Sequence, residues 1–175
     1  RFAADYVAGK KPNLSFPVDS IEVKAAWVQF DDAELAANKD KTFYSIRHDG
    51  KVYGLAALHI ITKDLPNWFW ATFHHVSNPE NRWGGKDTVG QPKEVKGTVW
   101  ENYKLGGPQV DFVEPNGRPT LMSDHYVEFG FQRSSCISCH ARATASPNMD
   151  QIQRLGSKVV LGSPDYREYF KPIDP

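Results

Sequence analysis

The chain of 175 residues contains only two cysteines, so a scaffold of several disulfides cannot hold it together. Its length allows a sizeable hydrophobic core instead, and we expect one domain over residues 1–175. Lysine plus arginine and aspartate plus glutamate each number 21, which gives a formal net charge of zero. Because no block of like charge occurs either, the sequence argues against nucleic-acid binding.

Long apolar runs are also missing. The longest mainly apolar stretch, Val52 to Ile61, contains His59 and is far shorter than the roughly 20 residues needed to cross a bilayer. We therefore expect no membrane span. Residues Arg1 to Asp5 lack a charged leader followed by an apolar core, so we expect any signal peptide to have been removed.

Both cysteines belong to one segment, Cys136-Ile137-Ser138-Cys139-His140, whose spacing is typical of covalent haem attachment. Thioether bonds from Cys136 and Cys139 would fix the vinyl edges of one haem c, and His140 would be the proximal iron ligand. With this composition, the pattern arises by chance on the order of once in 1,000 such chains.

Two other chemistries use cysteines at this spacing. A zinc site needs four ligands, and the chain has no further cysteine to supply them. A thioredoxin-like dithiol needs a strand-to-helix turn, whereas residues 131–135 do not have the pattern of a buried parallel strand. Since haem c is attached outside the bacterial inner membrane, the motif predicts a periplasmic or extracellular protein.

The pattern of apolar residues predicts an α+β domain with a mainly antiparallel, aromatic-rich sheet and a helical C-terminal part that carries the covalent haem. Strands are expected at 20–30, 42–46, from Val52 through Ile61, and at 68–73, with a hairpin turn at Asp49-Gly50. Short helices are expected at 31–37, at the haem motif and from Ser146 to near Gly156. Residues 77–91 form a predicted loop. The segment 95–105 fits a helix or a strand, and Gly106-Gly107-Pro108 is expected to end it.

Four segments together resemble a bacterial family of large single-haem c-type cytochromes that have no assigned role. They are Ile21–Trp27, Gly54–Ile60, Pro66–Phe73 and Ser135–Ala141. The resemblance implies kinship over most of the chain and a haem motif near the C-terminus. In small class I cytochromes the motif lies near the N-terminus, so their fold and ligands do not transfer.

The second axial position of the iron has several candidate ligands. His59 interrupts an apolar strand face, where an unpaired imidazole is costly. His74 and His75 are adjacent and point to opposite sides of a strand, so at most one of them, with His75 as our candidate, faces the haem. Met149 lies within reach of the iron along an extended chain. Met122, His125 and an open site remain alternatives.

Other residues are candidates for contacts with the porphyrin. Arg133 and Arg142 flank the motif, and a guanidinium pairs well with a haem propionate. Aromatic side chains of the fourth predicted strand suit an apolar haem wall, namely Trp68, Phe69, Trp70 and Phe73.

The function expected from the motif is one-electron transfer between redox protein partners. The alternatives are a haem enzyme that acts on peroxide or a nitrogen oxide, and a gas sensor with an open iron. The oligomeric state stays open.

The motif generates a first prediction. We expect natively matured protein to exceed the mass of the polypeptide by one haem, and Cys136→Ser/Cys139→Ser to match the bare polypeptide, because only these two thiols can form thioethers. Intact-mass spectrometry makes the comparison. A parent protein with the polypeptide mass alone would contradict covalent haem.

Overall fold

A computed structural model describes residues 8, 16–79, 86–128 and 133–140 of the chain. Within these ranges the fold is built on a five-stranded antiparallel sheet. The strands are β1 (Ile21–Gln29), β2 (Ser45–His48), β3 (Lys51–Thr62), β4 (Phe69–His75) and β5 (Tyr103–Gln109), in the order β1-β3-β4-β5, with β2 paired to β3. The helices are α1 (Asp32–Ala36), α2 (Lys39–Thr42) and α3 (Cys136–His140), with 3₁₀ turns at Lys93–Val95 and Val99–Asn102.

An antiparallel sheet with a few short helices confirms the coarse α+β prediction. The predicted helix at 146–156, and with it the helical C-terminal part, lies outside the described residues. Of the helices that the structure describes, none is long and apolar enough to span a membrane.

The hairpin at Asp49-Gly50 is confirmed. Asp49 and Gly50 have φ of 47° and 73°, and two successive left-handed residues form the turn whose twist matches that of the flanking strands. The strand after the turn, β3, is central, since it pairs with β1, β2 and β4. This position explains why it is apolar on both faces.

The prediction that Gly106-Gly107-Pro108 ends the preceding element is wrong, because β5 continues through all three residues. Pro108 pairs with Ala71 of β4, and β5 is the last strand of the described sheet, where a missing N–H is tolerated. Gly107 has φ of 119° at the point where the register with β4 shifts. Residues 95–105 therefore contain a 3₁₀ turn followed by a strand.

The two faces of the sheet have different coverings. The helix α3 packs on one face, which we call the site face. This face carries alternate residues of the two central strands, namely Ala57, His59 and Ile61 of β3 and their cross-strand neighbours His74, Thr72 and Trp70 of β4. The opposite or rear face is covered near the hairpin by Phe30, Phe43 and Val52, with Leu35 of α1 packed against them. Strand alternation thus decides which side chains reach the haem motif.

Close packing on the rear face generates a stability prediction. A Cβ at Gly54 would lie 2.2 Å from Cζ and 2.8 Å from Cε2 of Phe30. We expect Gly54→Ala to lower the free energy of unfolding by about 1–3 kcal/mol through overpacking, measured by urea denaturation.

The matched control is Phe30→Leu, which removes both clashing ring atoms. Combined with Gly54→Ala, it should recover part of the loss, so that the double variant is more stable than the two single effects predict. If the two changes in free energy of unfolding simply added, the contact between the new Cβ and Phe30 would not be the cause of the loss.

Candidate functional site

The haem motif forms α3, and Ser135 begins it. The Ser135 carbonyl accepts a hydrogen bond from Cys139 N at 3.0 Å, and its hydroxyl lies 3.4 Å from Ser138 N, as in an N-cap. Positions i, i+3 and i+4 of a helix lie on one side, so Cys136, Cys139 and His140 share a side of α3. The predicted short helix at the motif is confirmed.

Gln109 of β5 attaches the start of α3 to the sheet. Its Nε2 donates to Ser135 Oγ at 2.8 Å, and its Oε1 accepts from Ile137 N at 3.3 Å. Only 1% of Gln109 is exposed, so water does not compete for these bonds. Sequence reasoning missed this residue, because a glutamine after Pro108 gives no signal of a partner 26 residues away.

An apolar cluster lies beneath α3. It consists of Ile61, Trp70, Met122, Cys136 and Ile137. The Cys136 thiol lies 3.7 Å from the carbonyl oxygen of Met122, and burial is the main cause that raises its pKa to about 12. No disulfide joins the two cysteines, and Cys139 is exposed. The two thiols therefore differ in access to solvent.

His140 contacts the aromatic side chain of β4 that sequence reasoning considered for a haem wall. The His140 and Trp70 rings lie 4.5 Å apart, centroid to centroid, at an angle of 61°. Trp70 Nε1 donates to Asn67 O at 2.8 Å, which fixes its indole. Trp68 packs against the same cluster, whereas Phe69 and Phe73 belong to the rear face.

His59 is buried on the site face, and no described residue forms a hydrogen bond with its Nε2. An ionisable neighbour is Glu128, whose Oε2 lies 3.8 Å from Nε2. Burial is the main cause that lowers the pKa of His59 to about 4, and Lys24 and His140 act in the same direction. The imidazole is therefore neutral at pH 7, as an iron ligand must be.

A second histidine–carboxylate pair lies beside the first. His74 Nδ1 is 3.7 Å from Asp124 Oδ2, and Gly106 leaves room for the ring, since a Cβ there would lie 2.9 Å from Nδ1. Asp124 N donates to Glu128 Oε2 at 2.6 Å, so one turn holds both carboxylates over the sheet. Burial is the main cause that raises the pKa of Glu128 to about 7.

His75, our candidate from the sequence, lies on the rear face, away from α3. Its ring stacks on Phe43 at 3.5 Å between centroids, and its nitrogens lie 2.7 Å from Ser77 Oγ and 3.1 Å from Thr42 O. These contacts satisfy the ring nitrogens of His75, as is usual for a histidine in the core. The expectation that His74 and His75 point to opposite sides is confirmed, and it is His74 that shares the face of the motif.

The remaining candidates are placed only in part. Arg133 is exposed three residues before Cys136. Arg142 and Met149 lie outside the described residues. Protein side chains in the described ranges form no cluster of three or more histidine, cysteine, aspartate or glutamate residues that could hold a metal ion by itself.

Comparison with known proteins gives no match, since no family model fits the chain and neither a curated protein nor a solved structure is significantly similar to it.

The pair His59 and Glu128 generates a prediction about pH. The folded-state pKa of His59 is below that of the unfolded chain, so its contribution to stability is lost as the pH falls from about 6.5 to about 4. The folded-state pKa of Glu128 is raised, so its contribution is present below pH 4.5 and is lost as the pH rises to about 7. The two contributions therefore change in opposite directions with pH, and each is on the order of 3 kcal/mol.

Single variants distinguish the contributions of His59 and Glu128 to the pH dependence of stability. In the haem-free protein, where His59 is free to titrate, we expect His59→Gln to gain free energy of unfolding relative to the parent from pH 7 to pH 4.5, and Glu128→Gln to lose it, in urea titrations at each pH. Parallel profiles for all three proteins would contradict the assignment.

Proposed function

We propose that this chain is a periplasmic c-type cytochrome with one covalent haem that passes single electrons between redox protein partners. Cys136 and Cys139 form the thioethers, and His140 is the proximal ligand. The observation that carries the proposal is the anchoring of all three side chains on one helical turn, fixed to the sheet by Gln109 and backed by Trp70.

The residues present fit a covalent haem. The two thiols are not joined to each other, an imidazole follows directly, and a buried tryptophan borders it. His59 Nε2, a buried imidazole nitrogen with no hydrogen-bond partner in the described part of the chain, lies on the same sheet face. Bound haem supplies a reversible one-electron change at iron.

The chain's own residues hold that group in place and limit its contact with water. Ser135 and Gln109 fix the start of α3, and with it the direction of His140. Ile61, Trp70 and Met122 exclude water from the sheet side of the helix. A dry, apolar border favours the less charged reduced state and so raises the reduction potential.

His59 is the second ligand in this proposal. It is neutral because it is buried, it shares its face with α3, and its Nε2 receives no hydrogen bond from the residues that the structure describes. His75 is committed to the rear face by two hydrogen-bonding partners. With His59 and His140 both bound to it, the haem would supply a one-electron change that requires little rearrangement of the protein.

One observation favours a second candidate function, a haem enzyme with an open iron. His59 and Glu128 lie 3.8 Å apart, with pKa values of about 4 and about 7. A neutral imidazole beside a carboxyl group that titrates near neutral pH is suited to moving protons to and from a peroxide or nitrogen oxide. In that case His59 would not bind iron.

Absorption spectra separate the two functions. We expect the matured parent protein to be low-spin in both oxidation states and slow to bind carbon monoxide, and His59→Ala to become high-spin and bind it readily while retaining haem. A high-spin parent that binds carbon monoxide readily would contradict the proposed second ligand and favour the enzyme.

His48→Ala is the matched control, because His48 lies in the exposed hairpin and should leave the spectrum unchanged. His74→Ala tests the other histidine of the site face. A low-spin His59→Ala protein with the charge-transfer absorption of an iron–thioether bond would assign the position to methionine.

A further inference from the structure

Strand β1 is an edge strand with an exposed apolar side. It pairs with β3 on one side, and no other described residue pairs with its outer edge. Ile21 and Val23 are 66% and 62% exposed, and Ala25 beside them is also exposed. Bare edges with apolar side chains are templates for pairing with another strand.

The hydrogen bonds of β1 show which backbone groups face outward. Lys63 N donates to Ser20 O at 3.0 Å, so Ser20 faces β3. Backbone groups alternate in direction along an antiparallel strand, which places the N–H and C=O of Glu22 and Lys24 toward β3. The N–H and C=O groups of Ile21, Val23 and Ala25 therefore point away from the sheet.

We propose that two copies of this chain associate through β1, antiparallel, about a twofold axis at Val23. Val23 then exchanges both backbone hydrogen bonds with Val23 of the partner subunit, and Ile21 faces the partner's Ala25. The paired segment ends before the register shift between Ala26 and Trp27, where the edge is distorted. The proposal uses the outer backbone edge of β1 rather than the haem motif, and Lys24 is the cross-strand neighbour of His59 on the site face.

Charge complementarity favours this register, and it favours a second copy of the chain as the partner. With the axis at Val23, Glu22 lies opposite Lys24 of the partner subunit, and the symmetry creates the same pair twice. These positions form non-hydrogen-bonded pairs, in which opposed side chains come closest. An axis at Glu22 or Lys24 would instead place like charges opposite each other, which is unfavourable.

Charge reversal tests the pairing on matured full-length protein. Sedimentation equilibrium from about 1 µM to about 1 mM covers the range of a small interface. We expect a concentration-dependent dimer for the parent and at least about tenfold weaker association for Glu22→Lys and for Lys24→Glu, because each single change creates two like-charge contacts.

The double variant Glu22→Lys/Lys24→Glu restores both opposite-charge pairs and should dimerise like the parent. Glu94→Lys, an equal charge change on an exposed 3₁₀ turn, should have no effect. A monomeric parent at about 1 mM, single variants that associate like the parent, or a double variant that stays as weak as the single ones would overturn the proposal.

A backbone variant tests the hydrogen bonds. Val23→Pro removes an N–H that faces outward, so the pairing of β1 with β3 and the circular dichroism of the fold should be retained while the dimer is lost. Retained fold together with an unweakened dimer would overturn the proposed ladder. A lost fold would overturn the outward direction of Val23 from which the proposal is built.

Discussion

The bonds between Gln109 and the start of α3 are the constraint on which the candidate site depends. One buried amide donates to Ser135 and accepts from Ile137, and its Nε2 also lies within hydrogen-bond distance of the carbonyl oxygens of Asp111 and Thr120. They fix α3 in position and rotation on the sheet. Since Cys136, Cys139 and His140 differ only in their place on that turn, fixing the helix fixes the directions of all three.

Three buried polar atoms lie on or near the site face without a hydrogen-bond partner among the described residues. They are His59 Nε2, Thr72 Oγ1 and Ser134 Oγ. Such groups cost free energy, and proteins retain them where a function needs them. His59 and Thr72 are direct cross-strand neighbours, so the cost is concentrated beside the helix that carries the haem motif. This concentration connects the energetics of the fold with the proposed chemistry.

Because side chains alternate between the two sides of a strand, neighbouring residues lie on opposite faces of the sheet. His74 and His75 are adjacent in sequence, yet one lies near Asp124 on the site face and the other is stacked on Phe43 in the rear core. The β5 edge is engaged by α3 through Gln109, whereas the β1 edge carries exposed apolar side chains. The outer edge of β1 and the helix α3 thus belong to different parts of one sheet, with Lys24 of β1 the cross-strand neighbour of His59.

The sequence by itself determined the haem motif, the hairpin, the central strand and the opposite directions of His74 and His75. Each of these follows from local chemistry or from the two-residue period of a strand, which involve neighbours along the chain. The tertiary structure alone decided that His59 rather than His75 shares the face of α3, that Gln109 holds the helix, and that β5 passes through Gly106-Gly107-Pro108. These depend on strand order, register and contacts between residues far apart in sequence, because burial and pairing are properties of the assembled sheet and no local pattern encodes them.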